Sequence, residues 1–319
     1  MGSDYARPAL TADVAVRAAS RSLPRALLVA MRPYQWPKNL IVLAALAFSA
    51  GDAWTLGEAS TWWPLLWRTV VLTGAWCLAA SAVYLLNDIQ DRVLDRLHPR
   101  KRFRPIAAGE VSVWQGRALA ALLVAVSLPV AFSLALSAGA VLAGYVAVMG
   151  AYSLGLKRVA ILDVLILCGG VVARAVSGGL AIDVEISPWL YVCSSFGAFF
   201  FASSKRWAEY RQLGADAVQH RPALAQYSGD ILSQLVVISA ATALLSYALY
   251  TIESEHVPEN GSMAVTIPFV AFALFRYLLL LNGPRQSDAP DRILFTDPQI
   301  LIAVAGFGVT AITVLLLGS

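Results

Sequence analysis

Long apolar runs broken by short charged segments set the pattern of this chain. Nine runs read as helical spans, at roughly residues 26–50, 64–87, 113–136, 139–157, 160–181, 188–209, 230–251, 263–282 and 298–318. A crossing helix needs about 20 mostly apolar residues, and lipid tolerates only helices or closed barrels. These runs are far too long for barrel strands. The pattern predicts an all-α, polytopic integral membrane protein, with about nine transmembrane helices around a cytoplasm-facing cavity. Residues 1–24, mixed and rich in Ala and Arg, read as an N-terminal tail or a surface amphipathic helix, and 25–319 as one intramembrane domain. Ser137-Ala138-Gly139 is the expected turn between the third and fourth spans. Composition adds one exclusion: 58% of the 319 residues are hydrophobic and only 14% charged, so an ordinary soluble domain is ruled out.

The 24 Lys and Arg residues orient the spans. All but Arg68, Arg174 and Arg276 fall at one end of the predicted helices. The opposite loops, 51–63, 182–187 and 252–262, hold no Lys or Arg, and carry Asp52, Glu58, Asp183, Glu185, Glu253, Glu255 and Glu259. The positive-inside rule places the N-terminus and the charged face in the cytoplasm and the C-terminus outside, in a multi-pass inner (plasma) membrane protein. The net charge of +4 is then membrane polarity, and no basic-aromatic groove points to nucleic acid. Cys77, Cys168 and Cys193 lie in apolar spans without metal or disulfide spacing and read as packing residues. No cleavable signal peptide is expected.

The chemistry concentrates at Asn87 to Gly109. Asp88, Asp91 and Asp95 are spaced i, i+3, i+7 on one helical face that leaves the membrane, with Tyr84 and Asn87 just above. Three like charges on one face repel, and a hard divalent cation with oxygen ligands fits there best. His98-Pro99 ends the helix. Arg100, Lys101, Arg102 and Arg104 follow, a cluster suited to phosphate oxygens. Carboxylates beside a basic loop at a membrane surface suggest a Mg²⁺-diphosphate site. The plainer alternative is a solvated helix end with ordinary boundary charge.

Further candidates lie at the same end of the spans. Lys38 and Asn39, entering the first span, are either interface anchors or phosphate ligands. Tyr152, Lys157 and Asp163 frame a tight loop that reads as a second wall of the site. Arg174, three turns beyond Asp163 on nearly the same face, is a buried guanidinium that needs a partner, either a ligand or a structural ion pair. Lys205 and Arg206 come before the sixth span leaves the membrane, where they suit anionic oxygens. Lys205 and Glu209 also have the spacing of a helix-surface ion pair. Arg68 lies one turn from an outer belt of Trp54, Trp62, Trp63 and Trp67, and reads as a structural, snorkelling residue.

N-D-x-x-D-x-x-x-D at 87–95 followed by H-P-x-K-R-x-R-P-I-A-A-G at 98–109 resembles the UbiA-type intramembrane prenyltransferase superfamily over nearly the whole chain. Most members carry a second Asp-rich run near the end of the sixth helix. Here that place holds Ser203-x-Lys205-Arg206-x-x-Glu209. With R-P-Y-Q-W-P-K-N at 32–39 and Y-S-x-x-L-K at 152–157, the chain is similar to the phosphoribosyl-transferring branch, which serves cell-wall arabinan precursor synthesis. That resemblance implies Mg²⁺-dependent transfer of 5-phosphoribosyl from phosphoribosyl pyrophosphate to a polyprenyl (decaprenyl) phosphate. It implies Asn87, Asp88, Asp91 and Asp95 as metal ligands, and Lys101, Arg104, Lys157, Lys205 and Arg206 as phosphate ligands. Asp163 and Glu209 would meet ribose hydroxyls or water. An aromatic prenyltransferase using a prenyl diphosphate is the nearer alternative, and a non-enzymatic cation or lipid transporter the further one.

Overall fold

The computed structural model describes residues 21–49, 53–55, 57–98, 101–185, 188–213, 222–254, 257–258, 260–283, 293–294 and 296–317. Among them there is no strand, and seven helices are long and apolar enough to cross a membrane. Residues 1–20 of the expected tail lie outside the described residues, and Leu23 and Pro24 already belong to a helix.

The first expected span is where the structure departs furthest. Instead of one helix over 26–50, the chain forms α1 (Leu23–Ala30), a 3-10 stretch (Pro33–Leu43) and the short α2 (Ala44–Phe48). Pro33 and Pro37 supply the reason, since each lacks an N–H and disfavours helical geometry in the residue before it. Arg32, just ahead of Pro33, takes the left-handed conformation (φ 55, ψ 59).

The second span is longer than expected. α3 (Ala59–Leu97) is one continuous helix of 39 residues. At 1.5 Å per residue it is about 58 Å long. The hydrocarbon layer is only about 30 Å thick. Its last turns therefore project past the apolar zone, and the helix ends at His98, in extended backbone ahead of Pro99 as the sequence predicts.

α4 (Val113–Leu134) opens on a capping box of Ser112 and Gln115, and α5 (Leu136–Leu154) follows it after one residue. The turn between them is the extended Ala135, not Ser137-Ala138-Gly139, all three of which lie inside α5. Arg68 Nη2 donates to the Leu134 carbonyl at 2.5 Å, satisfying one of the acceptors that a helix end leaves open. Arg68 is structural, as expected, but as a cap. Gly139 serves the close packing that follows the reversal, because a Cβ there would come 2.8 Å from the Phe132 backbone.

The remaining helices are α6 (Leu162–Ile182), α7 (Pro188–Leu213), α8 (Gly229–Glu253), α9 (Ile267–Asn282) and α10 (Pro298–Leu317). α7 is long enough to cross, but its serines, aromatic residues and Lys205-Arg206 end leave it less apolar than the seven. One core cluster joins Leu72, Trp76 and Ala79 of α3 to Val42, to Leu142 and Tyr145 of α5, and to Ala181 of α6. A second joins Ala26 and Ala30 of α1 to Leu85 and Ile89 of α3 and to Ile106 and Val111 beyond it.

The first segment sits against α6 with no side chain between. A Cβ on Gly178 would fall 2.0 Å from the Val42 carbonyl oxygen, a backbone atom that cannot rotate away. Gly178→Ala should therefore destabilise the protein by about 1–3 kcal/mol, the usual cost of overpacking. A lowered melting temperature in detergent checks it. An unchanged melt would show that the segment is not pressed onto α6.

Candidate active site

α3 carries Asn87, Asp88, Asp91 and Asp95 to the rim of the apolar zone, and three separate segments bring cations to them. From the first segment, Arg32 Nη2 donates to Asp88 Oδ1 at 2.5 Å, while its guanidinium lies over the Tyr84 ring at 5.0 Å. From the loop after α3, Arg104 Nη1 bridges Asp88 Oδ1 at 3.1 Å and Asp95 Oδ2 at 2.7 Å. From the 3-10 stretch Leu156–Arg158, Lys157 Nζ lies 2.5 Å from Asp91 Oδ1 and 3.5 Å from Asn87 Oδ1. Asn87 Nδ2 donates to Asp91 Oδ2 at 3.1 Å.

Local sequence explains how Arg104 is held. Ile106 is buried against Leu85 and Ile89, and the Pro105 carbonyl accepts from the N–H groups of Glu110 and Val111. Gly109 closes the turn at φ 80, a conformation that costs glycine little. Arg96 Nε ties the Ala107 carbonyl back to α3 at 3.0 Å. The R-P-I-A-A-G run is thus an anchored turn that presents its arginine to α3.

A second cluster lies under the loop that bears Lys157. Asp163 is fully buried; its Oδ2 receives Arg206 Nε at 2.7 Å and its Oδ1 receives the Tyr227 hydroxyl at 3.2 Å. The same Tyr227 oxygen accepts the backbone N–H of Ile161. Ile161 has φ 65 and ψ −50, and Leu162 N–H reaches back to the Ala160 carbonyl at 2.7 Å. That is a γ-turn of positive φ, a rare and strained form, at a β-branched residue. Burial pushes the Tyr227 phenol up to about 12, with the Asp163 charge adding to the rise, so the group stays protonated and able to donate. Arg206 Nη1 also reaches Glu209 Oε2 at 3.3 Å.

With this geometry in view, the chain can be set beside known proteins. The model of the UbiA prenyltransferase family matches residues 26–297. The chain belongs to the UbiA prenyltransferase family. It is 35% identical over 290 residues to decaprenyl-phosphate phosphoribosyltransferase of Mycolicibacterium smegmatis, covering 86% of this chain and 89% of that protein. It is 32% identical over 287 residues to the Corynebacterium glutamicum protein of the same name, covering 88% and 84%. A solved UbiA homologue from Archaeoglobus fulgidus, bound to GPP and Mg²⁺, superposes with a TM-score of 0.69 at 18% identity, over 91% of this chain and 99% of that one. This last likeness speaks to the fold.

As a UbiA-family chain, it brings together only part of what its sequence suggested. The three aspartates do not converge: Asp88 and Asp95 share Arg104, and Asp91 turns to Lys157. Among the described residues no three His, Cys, Asp or Glu side chains form a metal-holding group. The i to i+7 spacing spreads them along about 10 Å of helix, and protein cations settle between them. Asn39 is buried and faces Cys77 and Arg174, away from the aspartates, whereas its neighbour Lys38 is exposed. Tyr152 is buried at the end of α5, and Lys101 and Lys205 are half-buried. Arg174, expected on the Asp163 face, bonds Asn39.

Two contributors escaped the sequence. Arg32 looked like boundary charge, and only the left-handed residue before Pro33 turns it onto Asp88. Tyr227 sits in a polar loop whose one local signal, the Ser228 cap of α8, says nothing of a phenol reaching α6. If Tyr227 acts by holding the γ-turn, its effect runs through Lys157. Tyr227→Phe and Lys157→Met, combined in a double-mutant cycle on substrate binding, should then couple by about 0.5–3 kcal/mol. Additive losses would make Tyr227 a packing residue only.

Proposed function

We propose that the protein transfers the 5-phosphoribosyl group of phosphoribosyl pyrophosphate to a polyprenyl phosphate, decaprenyl phosphate being the acceptor named in its relatives. The observation that carries this reading is the interleaving of carboxylates and cations at one end of the helices. A metal-diphosphate site alone needs the carboxylates. Two substrates that both carry phosphate need the arginines and lysines as well.

The residues suit a divalent cation. The Lys157 ammonium already lies between two oxygens, Asn87 Oδ1 and Asp91 Oδ1, so this spot favours positive charge and offers hard ligands. Mg²⁺ is typically held by one or two carboxylates plus substrate phosphates, so a three-carboxylate cage is not required. Asn87, Asp88 and Asp91 would hold it, with Asp95 keeping Arg104 in place. When bound, Mg²⁺ would offset the charge that grows on departing pyrophosphate.

The chain's own groups do the rest. Arg32 and Lys157 exchange their carboxylate partners for phosphate oxygens as substrate enters, and Arg104 exchanges Asp88 while Asp95 holds it. Lys101 and Lys205 add further cations at the same end, and Asp163 and Glu209 keep Arg206 oriented. An oxygen of the lipid phosphate forms the new bond to C1 of the ribose as the C1–O bond to pyrophosphate breaks, and pyrophosphate leaves with that electron pair. The attacking oxygen is already anionic, so no general base is needed. The distribution of Lys and Arg supports a plasma-membrane site open to the cytoplasm.

Purified protein with Mg²⁺, labelled phosphoribosyl pyrophosphate and polyprenyl phosphate should yield a labelled lipid, and a chelator should stop it. Label transfer from geranylgeranyl diphosphate to an aromatic acceptor, with none from phosphoribosyl pyrophosphate, would favour a prenyltransferase instead. Asp91→Asn should abolish turnover with the melting temperature retained. Lys205→Met removes a charge-assisted hydrogen bond worth about 1.5–3 kcal/mol, so kcat/KM should fall roughly tenfold to a hundredfold. An unchanged kcat/KM would take Lys205 out of the site.

A further inference from the structure

Among the described residues, Arg174 is the one buried guanidinium that the proposed reaction leaves without work. It lies twelve residues into α6, about 18 Å along the helix, and is 8% exposed. Its Nε donates to Asn39 Oδ1 at 2.7 Å, its Nη1 to the Gly170 carbonyl, and its Nη2 to the Tyr145 hydroxyl at 3.1 Å. The rings of Trp76 and Tyr145 flank it, each 4.8 Å from its central carbon. Trp76 is itself fixed by a 2.7 Å bond from Nε1 to Ser177 Oγ.

Every one of these partners is neutral. Among the described residues no carboxylate lies within ion-pair distance of Arg174. A guanidinium has five N–H donors, and the three bonds use three of them. Two remain, one on each terminal nitrogen, where an anion's oxygens can accept. A full positive charge held in an apolar interior without a counter-charge is costly, and such residues in membranes mark ligand or ion paths. Two aromatic faces soften that cost but supply no anion.

The box also connects to the aspartate face. Asn39 and Arg32 belong to one short segment, and Arg32 stacks on Tyr84 while reaching Asp88. We infer that Arg174, presented by Asn39, Tyr145 and Trp76, is a deep anion site that receives a phosphate group of one of the substrates. The identity of that ligand rests on the phosphoribosyl reading; the site itself rests on the unbalanced charge.

Three probes separate the sources: phosphoribosyl pyrophosphate, polyprenyl phosphate in detergent, and inorganic pyrophosphate as a ligand that presumes no reaction. Arg174→Met should melt no lower than the wild type without ligand, and should bind one of the three at least tenfold more weakly. Asn39→Asp is the sharper variant. It places a carboxylate where Asn39 Oδ1 now meets Nε at 2.7 Å, leaving Arg174 in position but neutralising its charge from within. It should keep or raise the melting temperature and still weaken binding at least tenfold. A structural staple predicts the reverse, a lower melt for Arg174→Met and undiminished binding in both variants, and that result overturns the proposal. If wild type binds pyrophosphate in an Arg174-dependent way but neither of the other two ligands, the anion site stands and the phosphoribosyl reading falls.

Discussion

Repulsion among carboxylates on one helix organises this end of the molecule. α3 extends beyond the apolar layer and presents Asp88, Asp91 and Asp95 there, with Asp88 and Asp95 buried. Buried like charges are tolerated only beside opposite ones. Three parts of the chain, far apart in sequence, therefore converge on α3, each bringing one cation: Arg32, Arg104 and Lys157. A site assembled this way is neutralised before any ligand arrives. In the proposed reaction, binding a metal and phosphates becomes an exchange of partners, which spares the protein the exposure of a bare charge.

Delivering those cations strains the backbone. Three non-glycine residues among those described have positive φ, and two of them, Arg32 and Ile161, sit at the bases of segments that reach the aspartates. Strain of this kind persists only where the surroundings over-determine it and gathers at functional sites. At Ile161 the over-determination is visible in the Tyr227, Asp163 and Arg206 chain of hydrogen bonds. Asp163 and Arg206 looked like ligands in the sequence. In the folded chain they bond each other and, through Tyr227, the turn that carries Lys157.

The legible features were those written in local periodicity. The aspartate face, the helix end at His98 and the basic R-P-I-A-A-G turn all depend on neighbours within a few residues, and each appears where the sequence put it. The first span was misread because its apolar content is right for a helix, while Pro33 and Pro37 break the hydrogen-bond ladder. The reversal at Ala135 was missed because no glycine or proline marks it; a distant arginine, Arg68, caps it. Tyr227 and Asn39 were opaque for the same reason. Their partners lie 38 to 135 residues away, and hydropathy carries no information about them.

The bare contact between Gly178 and Val42 has one more consequence. With no side chain as a cushion, the first segment rests on α6 backbone to backbone, and that contact cannot be compressed. The distance from the α6 axis to the segment bearing Arg32 and Asn39 is thus a hard stop. Movement of this segment is therefore one-sided with respect to α6: it can lift away but cannot press closer. The pair works as an end-stop for the segment that carries Arg32 and Asn39.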